Sequence, residues 1–375
     1  MQVLSRVRGL VVGYCLGDAL ARSPEPSRGA LFAGTPSLLF LTGVDGLVRG
    51  LVREEITGRP GAIPDCSWHA TARWASRSRQ GTLPGVRLWS EAAAPQPWPD
   101  GWLSDLALFA GGRGSAPAVE AALEQADLDH RPGRSGADSA GDLVLSRTLP
   151  TALLALSNPG GVHPEPGSTD PGRPLDAEHA LRLSELARDI AAYTHGLEAQ
   201  VISVALTRAL AECLATGAVG GLRDVDALGV VYDGVPGQDD VAAVSTALSA
   251  LAAQSVPYPP VTDLAQYGLP SGPRTALRAT AEGLRCALMH PGRDEVSKAI
   301  RVAVETGQPA AAAVTGALVG AAHGLDSFPV DAVTRLDVGH VADQLATDLF
   351  TQLTAPPTAR DSATVDAWLH RYPAW

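Results

Sequence analysis

Two short groupings of side chains have spacings that could carry chemistry. Cys66 and His69 lie three residues apart, which on a helix would place a thiol beside a possible base. A nucleophile so close to its base in sequence is unusual, and we interpret the pair as structural. Glu54 and Glu55 are adjacent acids, but neighbours on a helix point in different directions and cannot face each other across a bond. We interpret them as part of a solvated charged face.

Other catalytic classes have no counterpart in the sequence. It contains no GxSxG nucleophile elbow, no GxxxxGK[ST] phosphate loop and no HExxH zinc motif. The four cysteines are far apart and form no CxxC pair, which predicts reduced, structural thiols in a cytoplasmic protein. Met1 to Arg8 lacks the apolar run of a secretory signal. The apolar stretch from Ala310 to Leu325 is too short to span a bilayer, so we predict no membrane association.

The charge balance argues against a nucleic-acid partner. The chain has 40 acidic and 29 basic side chains, for a formal net charge of −11. Its basic residues do not cluster with aromatic ones, as they do in many nucleic-acid-binding surfaces. We therefore predict no binding to nucleic acid or to anionic lipid.

The elements that would position any site are helices. Hydrophobic residues form 45% of the chain and aromatic residues only 5%, a composition that favours close-packed helices over strands. Helical periodicity is clear in two segments, where apolar residues recur on one face: Ile202, Leu206, Leu210, Cys213 and Leu214, and then Leu277, Ala281, Leu284 and Leu288. We predict an all-α fold with one domain over residues 1–375.

Between the helical stretches lie segments rich in proline and glycine, at 92–101, 130–136, 158–174 and 256–273. The segment 158–174 is strongly polar and long for a loop, which predicts a lid or a disordered insertion.

Glycine recurs every four residues in two places, at Gly9, Gly13 and Gly17 and again at Gly316, Gly320 and Gly324. Each glycine inside a helix costs about 1 kcal/mol relative to alanine, so a row of three indicates a compensating benefit. Residues four apart share one helix face, and a smooth face lets another backbone approach closely. We predict two central helices that cross tightly, with the alternative that they carry ligand-binding loops at their ends.

Five ordered motifs resemble the ADP-ribosylglycohydrolase family, the group that contains the dinitrogenase-reductase-activating glycohydrolase and the ADP-ribosylarginine hydrolases. The first glycine row ends in Gly-Asp-Ala-Leu, like the opening signature of that family. The second motif, Pro99-Asp100-Gly101-Trp102-Leu103 followed by a segment around Arg113, is similar to a loop of actinobacterial members. The remaining three are Gly141 to Pro150, Thr194-His195-Gly196, and Ala312 to Gly324 running into Phe328-Pro329. The resemblance covers roughly residues 7–350 and implies an orthogonal helical bundle.

The resemblance also implies a reaction whose usual ligands are missing here. Family members hydrolyse a glycosidic bond at the ribose of ADP-ribose with two magnesium ions (Mg2+), held by an early T-D-D-T and a late G-D-T-D-T motif. The early motif is expected near Ser37, Leu38, Leu39 and Phe40, and the late one at Gly307, Gln308, Pro309 and Ala310. Magnesium requires several carboxylates, and the nearest acids are Asp45 and Glu305. We predict no metal cofactor. We also predict that the former metal pocket is either filled or re-lined by apolar and small side chains, at Ser37, Leu38, Leu39, Phe40, Gln308 and Ala310.

Four further positions align with the family's ligand-binding residues, and three of them are unchanged. In the phosphate loop Gly141 is kept, but Asp142 and Leu143 replace an asparagine and a glycine, and the charge of Asp142 would repel a phosphate. Arg147 and His195 are also kept, and we predict that Gly141, Asp142, Arg147 and His195 contact a ligand. Asp18 is a weak catalytic candidate, and we favour a structural role in which it caps a neighbouring helix or pairs with Arg147.

Three functional hypotheses follow. In the first, the chain is a pseudoenzyme that binds ADP-ribose, a nucleotide or another small ligand, or serves a protein partner. In the second, it is an enzyme of altered chemistry that acts on a hydrophobic substrate in the re-lined pocket. In the third, it still hydrolyses ADP-ribosyl bonds without metal, using acids such as Asp18, Glu54 or Glu55.

Overall fold

The computed structural model describes residues 2–23, 28–78, 98–125, 138–156, 175–220, 222, 231–232, 238–252 and 275–374. The predicted polar lid at 158–174 lies outside these residues, as do the segments 130–136 and 256–273.

The described residues form fifteen α-helices, with 3-10 segments such as Leu149–Leu156 between some of them. These are α1 Gln2–Arg22, α2 Thr35–Thr57, α3 Ile63–Ser78, α4 Trp102–Asp105, α5 Pro117–Glu124, α6 Leu143–Thr148, α7 Ala177–Ala192, α8 Leu197–Thr216, α9 Gln238–Ala252, α10 Thr275–Met289, α11 Val296–Glu305, α12 Pro309–His323, α13 Val330–Arg335, α14 Gly339–Thr354 and α15 Ser362–Arg371. No strand is present in the described part of the chain, where an isolated parallel bridge joins Leu31 to Leu336. The predicted all-α class is confirmed.

Both helices that were identified by periodicity bury the predicted face. All five apolar positions of α8 are buried, and in α10 Leu277, Ala281 and Leu284 are buried while Leu288 packs at the edge of the core. Much of this core is alanine, whose small side chain lets helices approach closely at no cost in side-chain entropy. Composition and periodicity together therefore predicted how these helices pack.

The two glycine rows bring α1 and α12 into backbone contact. The helices run antiparallel, because Gly9 faces Gly320, Gly13 faces Gly316 and Gly17 faces Ala312. A Cβ atom at Gly13 would overlap the carbonyl oxygen of Gly316, and a Cβ at Gly316 would overlap that of Gly13. The predicted tight pairing of two central helices is confirmed, and α1 is buried along most of its length.

Gly324, the last glycine of the late row, has a different role from the other two. It lies beyond the end of α12 with φ of 83°, where it terminates the helix next to the Ser5 side chain. A positive φ is readily adopted only by glycine, so this residue ends the helix, and its backbone still packs against Ser5 and Gly9 of α1.

Helix α8 is long and apolar enough, by length and composition, to cross a membrane. The apolar stretch singled out in the sequence forms α12, so α8 is a second strongly apolar helix among the described residues. The window that passes in α8 is 72% buried within the protein, as expected for a central core helix.

A buried ionic cluster joins α2 and α3 to the Pro99–Leu103 segment. Arg49 is fully buried, and its Nε donates to Asp45 at 2.7 Å while its Nη2 donates to the Asp100 carbonyl at 3.1 Å. Its Nη1 also reaches the carbonyl of Pro373 at 3.5 Å, beyond α15. Gly101, with φ of 82°, lies so close that a Cβ would overlap the Arg49 guanidinium. This arginine therefore ties the chain's C-terminal segment to the core.

Candidate functional site

A cavity of about 440 Å³ lies where the predicted site segments meet. Its volume falls within the range of small-molecule sites in proteins. The starts of α2, α10 and α12 reach it, together with the segments 113–118 and 139–143 and the residue that follows Thr194. It is lined by Arg22, Thr35, Pro36, Arg113, Gly114, Ser115, Pro117, Ala118, Ser139, Gly141, Asp142, Leu143, His195, Thr275, Pro309 and Ala310.

The residues of α2 that line the cavity begin at Thr35, two positions before Ser37, where the sequence placed the start of the early motif. The lining residues are Thr35 and Pro36, in the first turn. Leu38, Leu39 and Phe40 are fully buried in the hydrophobic core, where the Phe40 ring stacks on Tyr14 with 4.2 Å between ring centroids. Of the residues predicted to fill or re-line the pocket, Ala310 lines this cavity, whereas these three side chains pack in the core because only the tip of the helix faces the cavity.

Helix α12 contributes Pro309 and Ala310 to the cavity, and Gln308 is the residue before its first turn. The Gln308 amide N–H donates to the Thr306 hydroxyl at 3.2 Å. Among the described residues, no group of three or more His, Cys, Asp or Glu side chains is arranged to hold a metal ion.

Asp18 is held by three donors beneath the start of α2. It is fully buried and accepts from Arg22 Nε at 2.6 Å, from the Gly34 amide at 2.8 Å and from the Ser37 hydroxyl at 2.6 Å. Gly34 is the N-terminal cap residue of α2, so Asp18 supplies the capping carboxylate that the helix lacks locally. Arg147, the other predicted partner, bonds elsewhere.

The segment matched to the phosphate loop uses its own amides for internal bonds. The Gly141 amide donates to the Ser139 hydroxyl at 3.2 Å, and the Asp142 amide donates to Thr275 Oγ1 at 2.9 Å. The Ala140 carbonyl accepts from the Ala276 amide at 3.1 Å. A phosphate cradle needs free backbone N–H groups. These bonds leave Gly141 and Asp142 as lining residues rather than as an anion cradle.

His195 lines the cavity and is oriented by a chain of two hydrogen bonds. Arg147 Nη1 donates to Thr194 Oγ1, and Thr194 Oγ1 lies 2.7 Å from His195 Nδ1. Because the hydroxyl accepts from the guanidinium, its own hydrogen can be donated to Nδ1. The neutral imidazole then carries its hydrogen on Nε2. His195 Nε2 is buried and has no hydrogen-bond partner within the described structure, although the residue lines the cavity.

Burial keeps His195 uncharged. Desolvation, together with the neighbouring Arg147, lowers the pKa of His195 from 6.5 to about 3. Desolvation also lowers the pKa of Arg147 to about 10, so the guanidinium stays charged at neutral pH. The pair is therefore a fixed hydrogen-bonding unit and not a proton carrier near pH 7.

The lowered pKa of His195 predicts a stability change with pH. Between about pH 6.5 and pH 3 the unfolded chain binds a proton that the folded chain does not, so stability falls as the pH falls. From pH 7 to pH 5 this costs about 2 kcal/mol. Urea unfolding should show the parent losing about 2 kcal/mol more than His195→Gln over that interval. Equal losses in the two proteins would contradict the shift.

Three charged side chains face the cavity. Arg22 is paired with Asp18, and Arg113 is paired with Asp337 and donates to the Ala33 carbonyl at 3.1 Å. Burial raises the pKa of Asp142, with Arg22 acting in the opposite direction. The cavity therefore presents both signs of charge beside apolar lining residues such as Leu143 and Pro309.

The other candidate side chains lie away from this cavity. Burial raises the pKa of the Cys66 thiol to about 11, so it is a poor nucleophile beside His69. Glu54 accepts from the amides of Gly61 and Ala62, both at 2.8 Å, and Glu55 accepts from Gln352 at 2.7 Å. The two glutamates thus bond to different parts of the chain.

A family model described as ADP-ribosylglycohydrolase matches residues 1–358 of this chain. The chain belongs to the ADP-ribosylglycohydrolase family. It is also similar to a solved structure described as an ADP-ribosylglycohydrolase-related protein complex, at 20% sequence identity and a TM-score of 0.48, covering 94% of this chain and 99% of the other. No curated protein sequence matches it. Helix α15 lies beyond the matched residues.

Sequence reasoning missed several lining residues of this ADP-ribosylglycohydrolase-family cavity. Thr35, Pro36 and Thr275 were not predicted, and neither was Thr194 as the group that orients His195. One signal was present for α2. The run Gly34-Thr35-Pro36-Ser37 has a proline typical of a first helical turn, which marks a helix start.

Proposed function

We propose that this chain is a ligand-binding member of its family that works without the two-magnesium hydrolytic centre. The proposal rests on the residues found where the metal ligands would be expected. At the starts of α2 and α12, Thr35, Pro36, Pro309 and Ala310 line an open cavity. The cavity and its oriented histidine are present, which supports binding.

The residues at these helix starts do not fit a dinuclear magnesium centre. Magnesium is held in proteins by carboxylates and other hard oxygen ligands in octahedral geometry. Pro36, Pro309 and Ala310 have no side-chain oxygen, and the Ser37 hydroxyl already donates to Asp18. Asp142 is the single carboxylate among the lining residues that the structure describes. We therefore derive no chemical step through a metal.

The charged side chains of the lining favour a ligand that carries polar groups over a purely hydrophobic one. Leu38, Leu39 and Phe40, which would have made an apolar pocket, pack in the core. In their place the cavity offers Arg22, Arg113 and His195. Metal-free hydrolysis by Asp18 is also disfavoured, because three donors hold its two oxygens.

Calorimetry with ADP-ribose, in EDTA and then in excess magnesium, tests this proposal. We expect binding in both buffers with affinities equal within about twofold, because the lining residues do not form a set of magnesium ligands through which the metal could affect binding. His195→Ala should weaken binding about tenfold, because it removes the donor at Nε2. No ADP-ribose should be released from an ADP-ribosylated arginine substrate.

Two results would overturn the proposal. Turnover that requires magnesium would show that a metal centre forms from residues other than those that line the cavity. No binding of ADP-ribose in either buffer would remove it as the ligand. The cytoplasmic location and a protein partner stay predictions from the sequence.

A further inference from the structure

The start of α12 presents the unbonded end of a long helix to the cavity. The helix has 15 residues and begins at Pro309, and its cap residue Gln308 makes no side-chain capping bond. At this end the Ala312 amide donates to the Gln308 carbonyl at 3.2 Å. The amides of Ala310 and Ala311 come before it, in the turn where N–H groups have no carbonyl within the helix. This end carries partial positive charge.

Two buried side chains from other elements aim unpartnered polar atoms into the same cavity. Thr35 is 2% exposed, and its Oγ1 has no hydrogen-bond partner among the residues that the structure describes. His195 is also 2% exposed, and its Nε2 likewise has no hydrogen-bond partner among the described residues. When the Thr194 hydroxyl donates to Nδ1, Nε2 carries the hydrogen and is a donor. Buried polar groups of this kind require a hydrogen-bond partner, because a buried group without one destabilises the protein.

Two of the three charged side chains around this point favour an anion. Arg22 and Arg113 line the cavity, and their aspartate partners Asp18 and Asp337 are not among the lining residues described. The Asp142 carboxylate is the opposing charge, and burial raises its pKa. The lining is therefore richer in hydrogen-bond donors than in acceptors.

We propose that the start of α12 binds an oxyanion, a phosphoryl or carboxylate group of the ligand. The anion accepts from the first free amide of the helix, at Ala310, and Thr35 and His195 donate to oxygen atoms of the same ligand. This proposal uses the cavity assigned under the proposed function but not the identity of its ligand. It places an anion where the family resemblance implies carboxylates and cations. Without the carboxylates that the resemblance implies, this end of α12 would then attract an anion instead of cations.

Substitution of Pro309 provides a matched pair of variants. Pro309→Asp puts a carboxylate at the first helical position, where it favours the helix and should leave the melting temperature at or above that of the parent. The same carboxylate repels an anion. In Pro309→Asn the new side chain has nearly the same shape as aspartate but carries no charge. Loss of anion binding in the first variant alone therefore cannot be explained by misfolding.

The probe is inorganic phosphate, titrated at constant ionic strength against chloride and followed by thermal shift and phosphorus NMR line broadening. Acetate forms a second arm that distinguishes a carboxylate from a phosphoryl ligand. We expect saturable binding of one or both, weakened at least about tenfold by Pro309→Asp and less than about threefold by Pro309→Asn. Thr35→Val should weaken it about fivefold.

The inference is overturned if the parent binds neither anion more tightly than chloride, or if Pro309→Asp and Pro309→Asn bind equally well. Its failure can be distinguished from failure of the proposed function. Binding of ADP-ribose that persists in Pro309→Asp would keep the proposed function and reject the anion site. A parent that binds neither ADP-ribose nor either anion would reject both.

Discussion

Replacing Gly13 with alanine should destabilise the protein by about 3 kcal/mol, even though alanine is the better helix former by about 1 kcal/mol. The added methyl group would overlap the carbonyl oxygen of Gly316 and lie 2.7 Å from the Phe328 ring. A side chain could rotate away, but a helix backbone cannot move without disturbing the packing on its other side. The cost of separating α1 from α12 therefore exceeds the gain in helix propensity.

Urea unfolding measures the effect, and Gly111→Ala is the matched control. No atom lies within 4 Å of the position that a Cβ would take at Gly111, so this change should alter stability by less than about 0.5 kcal/mol. If Gly13→Ala proves as stable as the parent, the backbone contact between the two helices does not exist in solution.

Replacing Asp18 with alanine should cost about 2 to 4 kcal/mol, because the buried Gly34 amide and Ser37 hydroxyl lose their acceptor while Arg22 is exposed enough to be solvated. The change removes the acceptor of the Gly34 amide and the Ser37 hydroxyl and leaves Arg22 without its carboxylate. The start of α2 would lose its cap at the edge of the cavity. Ligand binding should weaken as a consequence, without any catalytic role for Asp18.

Asp18→Asn separates the two roles. The amide keeps an oxygen that can accept from Gly34 or Ser37 but loses the charge, so thermal unfolding should show a stability between those of the parent and Asp18→Ala. Asp18→Ala with unchanged stability would contradict the structural role and return Asp18 to the catalytic candidates.

The parts of the fold that could be predicted are those encoded by local spacing. Glycine every fourth residue specifies a smooth helix face, and two such rows specify a pair of helices in backbone contact, which α1 and α12 form. Apolar residues at helical spacing in α8 and α10 likewise determined the buried faces.

The details of the cavity depend on contacts between distant parts of the chain. Which residues of α2 face the ligand follows from the position of the helix tip, so Thr35 lines the cavity while Phe40 stacks on Tyr14 in the core. The bond from Arg147 to Thr194 joins residues 47 positions apart and takes the place of a pairing between Arg147 and Asp18. No local pattern in the sequence distinguishes these outcomes.

The pairing of α1 with α12 also affects how the protein folds during synthesis. Roughly 290 residues separate Arg22 from Pro309, the facing ends of the two helices. A ribosome adds about 5 to 20 residues per second, so α1 waits roughly 15 to 60 s for its partner. During that interval its apolar residues and glycine face have no α12 to pack against. A nascent chain of this kind should bind a chaperone until α12 has emerged.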